Sequence, residues 1–147
     1  MFFIIKLKKE GIIKMFEMKE EYKLGVQLID EQHAKLFEIG RRAYALLKDS
    51  YSIDKYDKII TIIEELKTYT IIHFKDEEDY MESINYKRLF TQKIDHSEFI
   101  KKINDVNLSK IDQNQDEYIM DILNFIAKWL VEHIIEKDLL IVAKQQI

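Results

Sequence analysis

Apolar residues recur at alternating steps of three and four along four stretches of the chain, which is the pattern of the buried face of an amphipathic helix. The four predicted helices run roughly over residues 30–48, 53–82, 86–107 and 116–137. Ser52 stands directly before the second stretch and is the predicted N-cap of that helix. The pattern therefore predicts an all-α protein.

The segments between these stretches are short and polar, at residues 49–52, 83–85 and 108–115. Short connections make consecutive helices lie side by side in opposite directions. The absence of proline and the presence of only three glycines also favour long helices. The predicted architecture is an up-down-up-down antiparallel four-helix bundle over residues 16–147, preceded by a short N-terminal arm.

The first fifteen residues fit poorly with this bundle. Met15 follows the run Lys8-Lys9-Glu10-Gly11, which a purine-rich ribosome-binding sequence can encode. Residues 1–15 are therefore a genuine N-terminal arm, or else the first fourteen residues are a translated leader ahead of a true start at Met15. Both interpretations stay open, and mass spectrometry of the protein from its native host would separate them.

Composition excludes several classes of function. The net charge of −4 offers no basic surface for nucleic acid or for anionic lipid. The chain has no cysteine, so disulfides and thiolate metal sites are excluded, and any metal must be held by nitrogen and oxygen. Neither a membrane-spanning apolar run nor a secretory signal is evident. We expect a cytoplasmic protein without nucleic-acid or membrane partners.

The chain has four histidines, one in each predicted helix and each on the buried face. They are His33, His73, His96 and His133. Glu77 follows the second by four residues and Asp138 follows the fourth by five. A single buried histidine is more often a hydrogen-bonded core residue than a metal ligand. Burying all of these groups together is costly unless they share a cation, so a metal site is favoured over a purely structural polar core.

The heights of these residues along the bundle also agree. His33 lies early in its helix, whereas His73 and Glu77 lie late in theirs. Gln92 and His96 then lie early in the third helix, and the last histidine ends the fourth. Because the predicted helices alternate in direction, all of these side chains gather at one end of the bundle, where they can form one metal centre.

These motifs resemble those of the hemerythrin family, specifically its bacterial single-domain members, over about residues 16–147. The matching residues are Gly25-Val26, Ile29-Asp30-Glu31-Gln32-His33, Leu36-Phe37, His73-Phe74, Glu77-Glu78, Met81, His96, Phe99, Trp129-Leu130, His133-Ile134 and Asp138. The resemblance is specific because order, spacing and neighbouring residues all agree.

The resemblance implies two non-haem iron ions that bind dioxygen. Carried over to this chain, Glu77 and Asp138 would bridge the irons. His33 and His73 would hold the iron with the open position for dioxygen, and His96 and His133 would hold the other. The implied role is oxygen storage, delivery, scavenging or sensing by a binding protein rather than by a conventional enzyme.

Gln92 departs from the family pattern, which has histidine four residues before the position of His96. The Gln92 oxygen could ligate weakly, water could take the place, or that metal could be weakly held or differently chosen. Gln92 also supports an alternative function, a di-iron enzyme that reduces peroxide, dioxygen or nitric oxide with an unidentified redox partner. A third possibility is an interaction bundle that binds metal only for stability. Glu78 could support a ligand of the site, but it is expected to be a solvated helix charge instead.

Overall fold

The computed structural model describes Lys14 and residues 16–143, and this part of the chain is helical without a strand. Its six helices are, in chain order, α1 (Gln27–Lys48), α2 (Lys55–Ser83), α3 (Leu89–Asn104), α4 (Leu108–Asp112), α5 (Asp116–His133) and α6 (Leu139–Ala143). A 3-10 turn at Glu20–Tyr22 precedes α1. The all-α prediction is confirmed, whereas the proposal about residues 1–13 and Met15 lies outside the described residues.

The four long helices, α1, α2, α3 and α5, all contribute to the main hydrophobic core. Helix α1 packs against α2 and α5, and α2 packs against α3. The ring of Phe99 from α3 lies 4.3 Å from that of Trp129 and 5.8 Å from that of Phe125, both on α5. These contacts make a helical bundle. No described helix is both long enough and apolar enough to cross a membrane.

The segment before the 3-10 turn is fixed to α1 by Phe16, whose side chain is fully buried. A Cβ atom added to Gly40 would lie 2.2 Å from the Phe16 ring, so only glycine leaves room for the ring at this point. Arg41 of α1 donates a hydrogen bond to the Phe16 carbonyl oxygen. The segment around Phe16, which precedes α1, is therefore part of the packed core.

The prediction that Ser52 caps the second long helix is wrong. Helix α2 begins only after Asp54, which adopts a left-handed backbone conformation with φ 60°. The Ser52 hydroxyl instead donates to the Ile53 carbonyl, and the N-cap Asp54 makes no side-chain capping hydrogen bond. Local turn geometry thus moves the start of the helix beyond Ser52 and leaves Asp54 at the N-cap position.

The connection predicted at residues 108–115 contains the short helix α4. The Asn107 side-chain oxygen accepts a hydrogen bond from the Ser109 backbone N–H and caps this helix. Ile111, on α4, is fully buried in the main core. The asparagine cap and the burial of Ile111 both hold this single helical turn against the bundle.

Candidate metal centre

All seven residues that the sequence nominates as metal ligands are buried and lie together. None exposes more than 6% of its surface. They are His33, His73, Glu77, Gln92, His96, His133 and Asp138. Since α1, α2, α3 and α5 each supply at least one of them, the centre is held by every long helix of the bundle.

Two ligand pairs follow from ordinary helical spacing. His73 and Glu77 lie four residues apart on α2, and Gln92 and His96 lie four apart on α3. Residues at this spacing share one face of an α-helix. Each of these helices therefore directs two polar side chains inward together.

The pair of His133 and Asp138 needs a different backbone. A spacing of five in an α-helix would rotate the second side chain about 140° from the first. The chain avoids this because residues Ile134–Asp138 form a π-helical segment between α5 and α6. The wider turn brings residues five apart onto one side. The prediction of a continuous helix to residue 137 is thus wrong in its backbone type, although Asp138 reaches the site as expected.

The Glu77 carboxylate stands between two groups of histidines. Its Oε2 atom lies 3.4 Å from His33 Nε2 and 3.3 Å from His73 Nε2. Its Oε1 atom lies 3.1 Å from His96 Nε2. One carboxylate therefore turns one oxygen towards each group.

Asp138 is placed in the same way. Its Oδ2 atom lies 3.3 Å from His33 Nε2, and its Oδ1 atom lies 3.2 Å from His133 Nε2. The possible metal-binding atoms therefore form two sets, and within each set all the atoms lie within 4.8 Å of one another. The first set is His33, His73 and Glu77; the second is Glu77, His96, His133 and Asp138. We refer to them as the His33 half and the His133 half of the centre.

Several atoms of this centre that could bind a metal are buried without a hydrogen-bond partner in the described part of the chain. They are Nε2 of His33, His96 and His133 and both carboxylate oxygens of Glu77. These atoms face one another but lack hydrogen-bond geometry. Unsatisfied buried polar atoms are costly, and a cation bound by their lone pairs removes that cost. The residues therefore fit a metal site of nitrogen and oxygen donors.

Gln32 was not among the predicted site residues, yet it positions His73. The Gln32 amide nitrogen donates to Asp76 Oδ2 at 2.7 Å, which leaves its oxygen facing His73 Nδ1 at 2.9 Å. Because that oxygen can only accept, His73 carries its proton on Nδ1 and keeps the Nε2 lone pair free. The sequence signal was slight: Gln32 adjoins His33 within one of the matching motifs, but nothing in that motif indicates a contact with His73.

Glu78 has the same effect on His96. Its Oε2 atom lies 2.7 Å from His96 Nδ1, and only 23% of its side chain is exposed. The carboxylate accepts the Nδ1 proton, so the His96 Nε2 lone pair also points into the centre. The expectation that Glu78 is a solvated helix charge is wrong, because α3 passes close enough to α2 to use it.

Gln92 reaches the centre through its amide nitrogen. Gln92 Nε2 donates to Asp138 Oδ1 at 3.1 Å, while the amide oxygen is buried without a hydrogen-bond partner in the described chain. In this arrangement the side chain contacts a carboxylate of the centre as a donor.

The charges at the centre are strongly coupled. Burial alone would lower the pKa of His33, but the neighbouring Asp138 and Glu77 carboxylates raise that pKa to about 9. Burial lowers the pKa of His73. Burial would raise the pKa of Glu77, yet the surrounding histidines hold it well below its usual value. Glu77 is therefore an anion at neutral pH and can balance cationic charge.

Aromatic rings form the walls of the His133 half. The Phe74 ring stacks on His96 with centroids 3.8 Å apart. The Trp129 ring stacks on His133 at 4.4 Å. These contacts fix both imidazole planes and exclude water from one side of the centre.

Comparisons with known proteins identify a family that binds cations. Residues 24–144 match the hemerythrin HHE cation binding domain. The chain is 52% identical over 124 residues to a bacteriohemerythrin of Clostridium acetobutylicum, covering 84% of this chain and 96% of that protein. It is 28% identical over 120 residues to a bacteriohemerythrin of Pseudomonas aeruginosa, covering 82% and 74%.

A myohemerythrin of Theromyzon tessulatum is 27% identical over 120 residues, covering 81% of this chain and 84% of that protein. No solved structure matches the chain significantly. A family model that spans most of the chain, together with a relative that is 52% identical over 84% of it, establishes the relationship. The chain belongs to the hemerythrin family.

Proposed function

We propose that this protein binds dioxygen reversibly at a pair of non-haem iron ions held inside an up-down-up-down bundle. The observation that carries the proposal is the sharing of Glu77 and Asp138 between two buried histidine groups. Membership of a cation-binding family and similarity to bacteriohemerythrins and a myohemerythrin support the choice of metal and ligand.

In the proposed site each histidine serves one ion. His33 and His73 hold the ion of the His33 half, and His96 and His133 hold the ion of the His133 half. Imidazole nitrogen suits iron, and the two shared carboxylates offset the charge of neighbouring cations. Gln32 and Glu78 keep the Nε2 atoms of His73 and His96 available for the metal.

When bound, a ferrous pair supplies both the electrons and the vacant position that dioxygen needs. The protein's own contribution is a fixed set of donors in a dry pocket. The burial of all four histidines and the rings of Phe74 and Trp129 limit access of water. Exclusion of water slows side reactions of the bound ligand and favours its release unchanged.

The test is repeated oxygenation of the iron-loaded, anaerobically reduced protein. We expect oxygen to be taken up on exposure to air and recovered under argon over several cycles, with a visible spectrum that changes and reverts. Glu77→Gln, which keeps the shape but removes the shared charge, should hold less iron and take up less oxygen. Irreversible oxygen consumption by an iron-loaded protein would contradict the proposal.

A further inference from the structure

A cavity of about 160 Å³ lies beside the His133 half of the centre. Its lining consists of Tyr86, Arg88, Thr91, Gln92, Lys137 and Leu140. Arg88 and Thr91 are exposed, whereas Gln92 is only 2% exposed. The cavity therefore runs from the surface to the buried amide of Gln92, and that amide contacts Asp138 of the centre.

Gln92 is the innermost residue of this cavity and has one unsatisfied polar atom. Its amide nitrogen donates to Asp138 Oδ1, and its amide oxygen is buried without a partner in the described chain. A side chain that donates to a shared carboxylate orients that carboxylate instead of supplying a lone pair to a cation. The Gln92 amide thus lies between the cavity and the His133 half, and it supplies that half with a hydrogen bond instead of a lone pair for a cation.

The charges around the cavity favour an anion. Arg88 forms no ion pair with any residue that the structure describes, and Lys137 Nζ has only a distant contact, 4.0 Å, with Asp95 Oδ2. Tyr86 is a phenol whose pKa is raised by burial, so it is neutral at physiological pH. The mouth thus carries two cationic side chains against the one acid Asp95, which favours the approach of small anions.

We propose that this cavity admits a small monoanion with an oxygen or nitrogen donor atom to the His133 half, as a second ligand position separate from the one that binds dioxygen. Gln92 acts as a positioning residue for Asp138, while Arg88 and Lys137 attract and hold the anion. The inference rests on the proposed function, since the anion needs a metal ion to bind. An anion replaces water at this position, and no bond of the protein is made or broken.

The test is the number of azide ions bound by the oxidised, iron-loaded full chain, measured by calorimetry and by visible titration. We expect two azide ions per chain, of which one is lost in Gln92→His because imidazole fills the position. In Gln92→Ala, which only enlarges the cavity, both should still bind. Arg88→Gln and Lys137→Gln should each weaken the second azide about three- to tenfold at low salt.

Lys93→Gln is the matched control. Lys93 is exposed and lies on α3, as Gln92 does, but it does not line the cavity. It should leave both azide affinities unchanged. A loaded protein that binds one azide, with an affinity that none of the cavity variants alters, overturns this inference but leaves the proposed function intact. A chain that cannot be loaded with iron at all contradicts the proposed function itself.

Discussion

At the scale of single residues, the chemistry of the centre depends on two neighbours of its histidines. Gln32 and Glu78 contact the Nδ1 atom of an imidazole ring, whereas the Nε2 atom of the same ring faces the centre. Gln32 can offer only its oxygen to His73, because Asp76 takes its amide nitrogen. Glu78 can offer only an acceptor to His96. Both neighbours therefore fix the tautomer and the plane of a histidine before any metal binds, which reduces the reorganisation that binding requires.

Removing one of these neighbours should weaken metal binding without unfolding the protein. We expect Glu78→Leu to lower iron affinity 10- to 100-fold, the usual effect of losing a partner of a ligating histidine. Glu78→Gln should recover most of that loss, because the amide oxygen still accepts the Nδ1 proton of His96. Competition with a chelator, followed by iron analysis, measures the affinity.

Glu82→Leu provides the control, since Glu82 is an exposed acid on the same helix. Its iron affinity should match that of the wild type. Equal affinities for Glu78→Leu and Glu82→Leu would show that Glu78 does not position His96.

The burial and proximity of the nominated residues could be predicted from the sequence, whereas their hydrogen-bond partners could not. Inward placement of His73 and Glu77 follows from helical period alone, because each lies on an apolar stripe. The contact of Glu78 with His96 depends on the axial offset of two helices that are distant in sequence. Side-chain periodicity carries no information about that offset, so the partners emerge only from the packed structure.

At the scale of the elements, the π-helical segment Ile134–Asp138 is the feature on which the site depends most. The spacing of five between His133 and Asp138 is visible in the sequence. From the α-helical period alone, however, Asp138 is expected to lie beyond the end of an α-helix. Shifted backbone hydrogen bonds, which the sequence does not display, bring Asp138 to 1% exposure. Such π turns often occur at functional sites because they redirect one side chain.

The approach of Phe16 to α1 gives a prediction about stability. Gly40→Ala should gain about 1 kcal/mol from helix propensity but lose about 1–3 kcal/mol because its Cβ displaces the Phe16 ring. We expect a net loss and a melting temperature lower by a few degrees. Thermal unfolding of the metal-free protein, followed by circular dichroism, checks this.

The same substitution in a Phe16→Leu background should have the opposite sign, because the smaller side chain leaves room for the added methyl group. There Gly40→Ala is expected to raise the melting temperature relative to Phe16→Leu alone. A Gly40→Ala protein that is more stable than the wild type in both backgrounds would show that the ring does not constrain this position.

At the scale of the whole molecule, the metal centre and the bundle stabilise each other. Every long helix contributes a donor, so a bound metal links all four. Without metal, buried histidines and carboxylates are only partly compensated by one another. A ligand that binds only the folded state raises stability, and metal removal should lower the melting temperature substantially.

The stability of the metal-free protein and the extra stability given by bound metal should depend on pH in different ways. In the metal-free protein the raised pKa of His33 contributes stability below its ordinary value of 6.5 that is lost as pH rises through about 9. The lowered pKa of Glu77 contributes stability above its ordinary value of 4.5 that is lost in acid. The contribution of these two groups is therefore greatest between these two ordinary values.

Metal binding must displace the proton of His33, so the stabilisation by metal should grow as pH rises from 6.5 towards 9. Melting temperatures of the loaded and metal-free proteins, compared across this range, measure the difference. A gap between the two forms that narrows with rising pH would contradict the assignment of His33 as a ligand that is protonated in the metal-free state.

The central claim is that Glu77 and Asp138 join two metal sites in one chain. The most direct measurement is the number of iron ions retained per chain after exhaustive dialysis, in the wild type and in Asp138→Asn. We predict about two ions per wild-type chain and a clear loss in the variant, which keeps the size of Asp138 but removes its charge. One ion or none in the wild type, or full retention in Asp138→Asn, would contradict the shared-carboxylate centre.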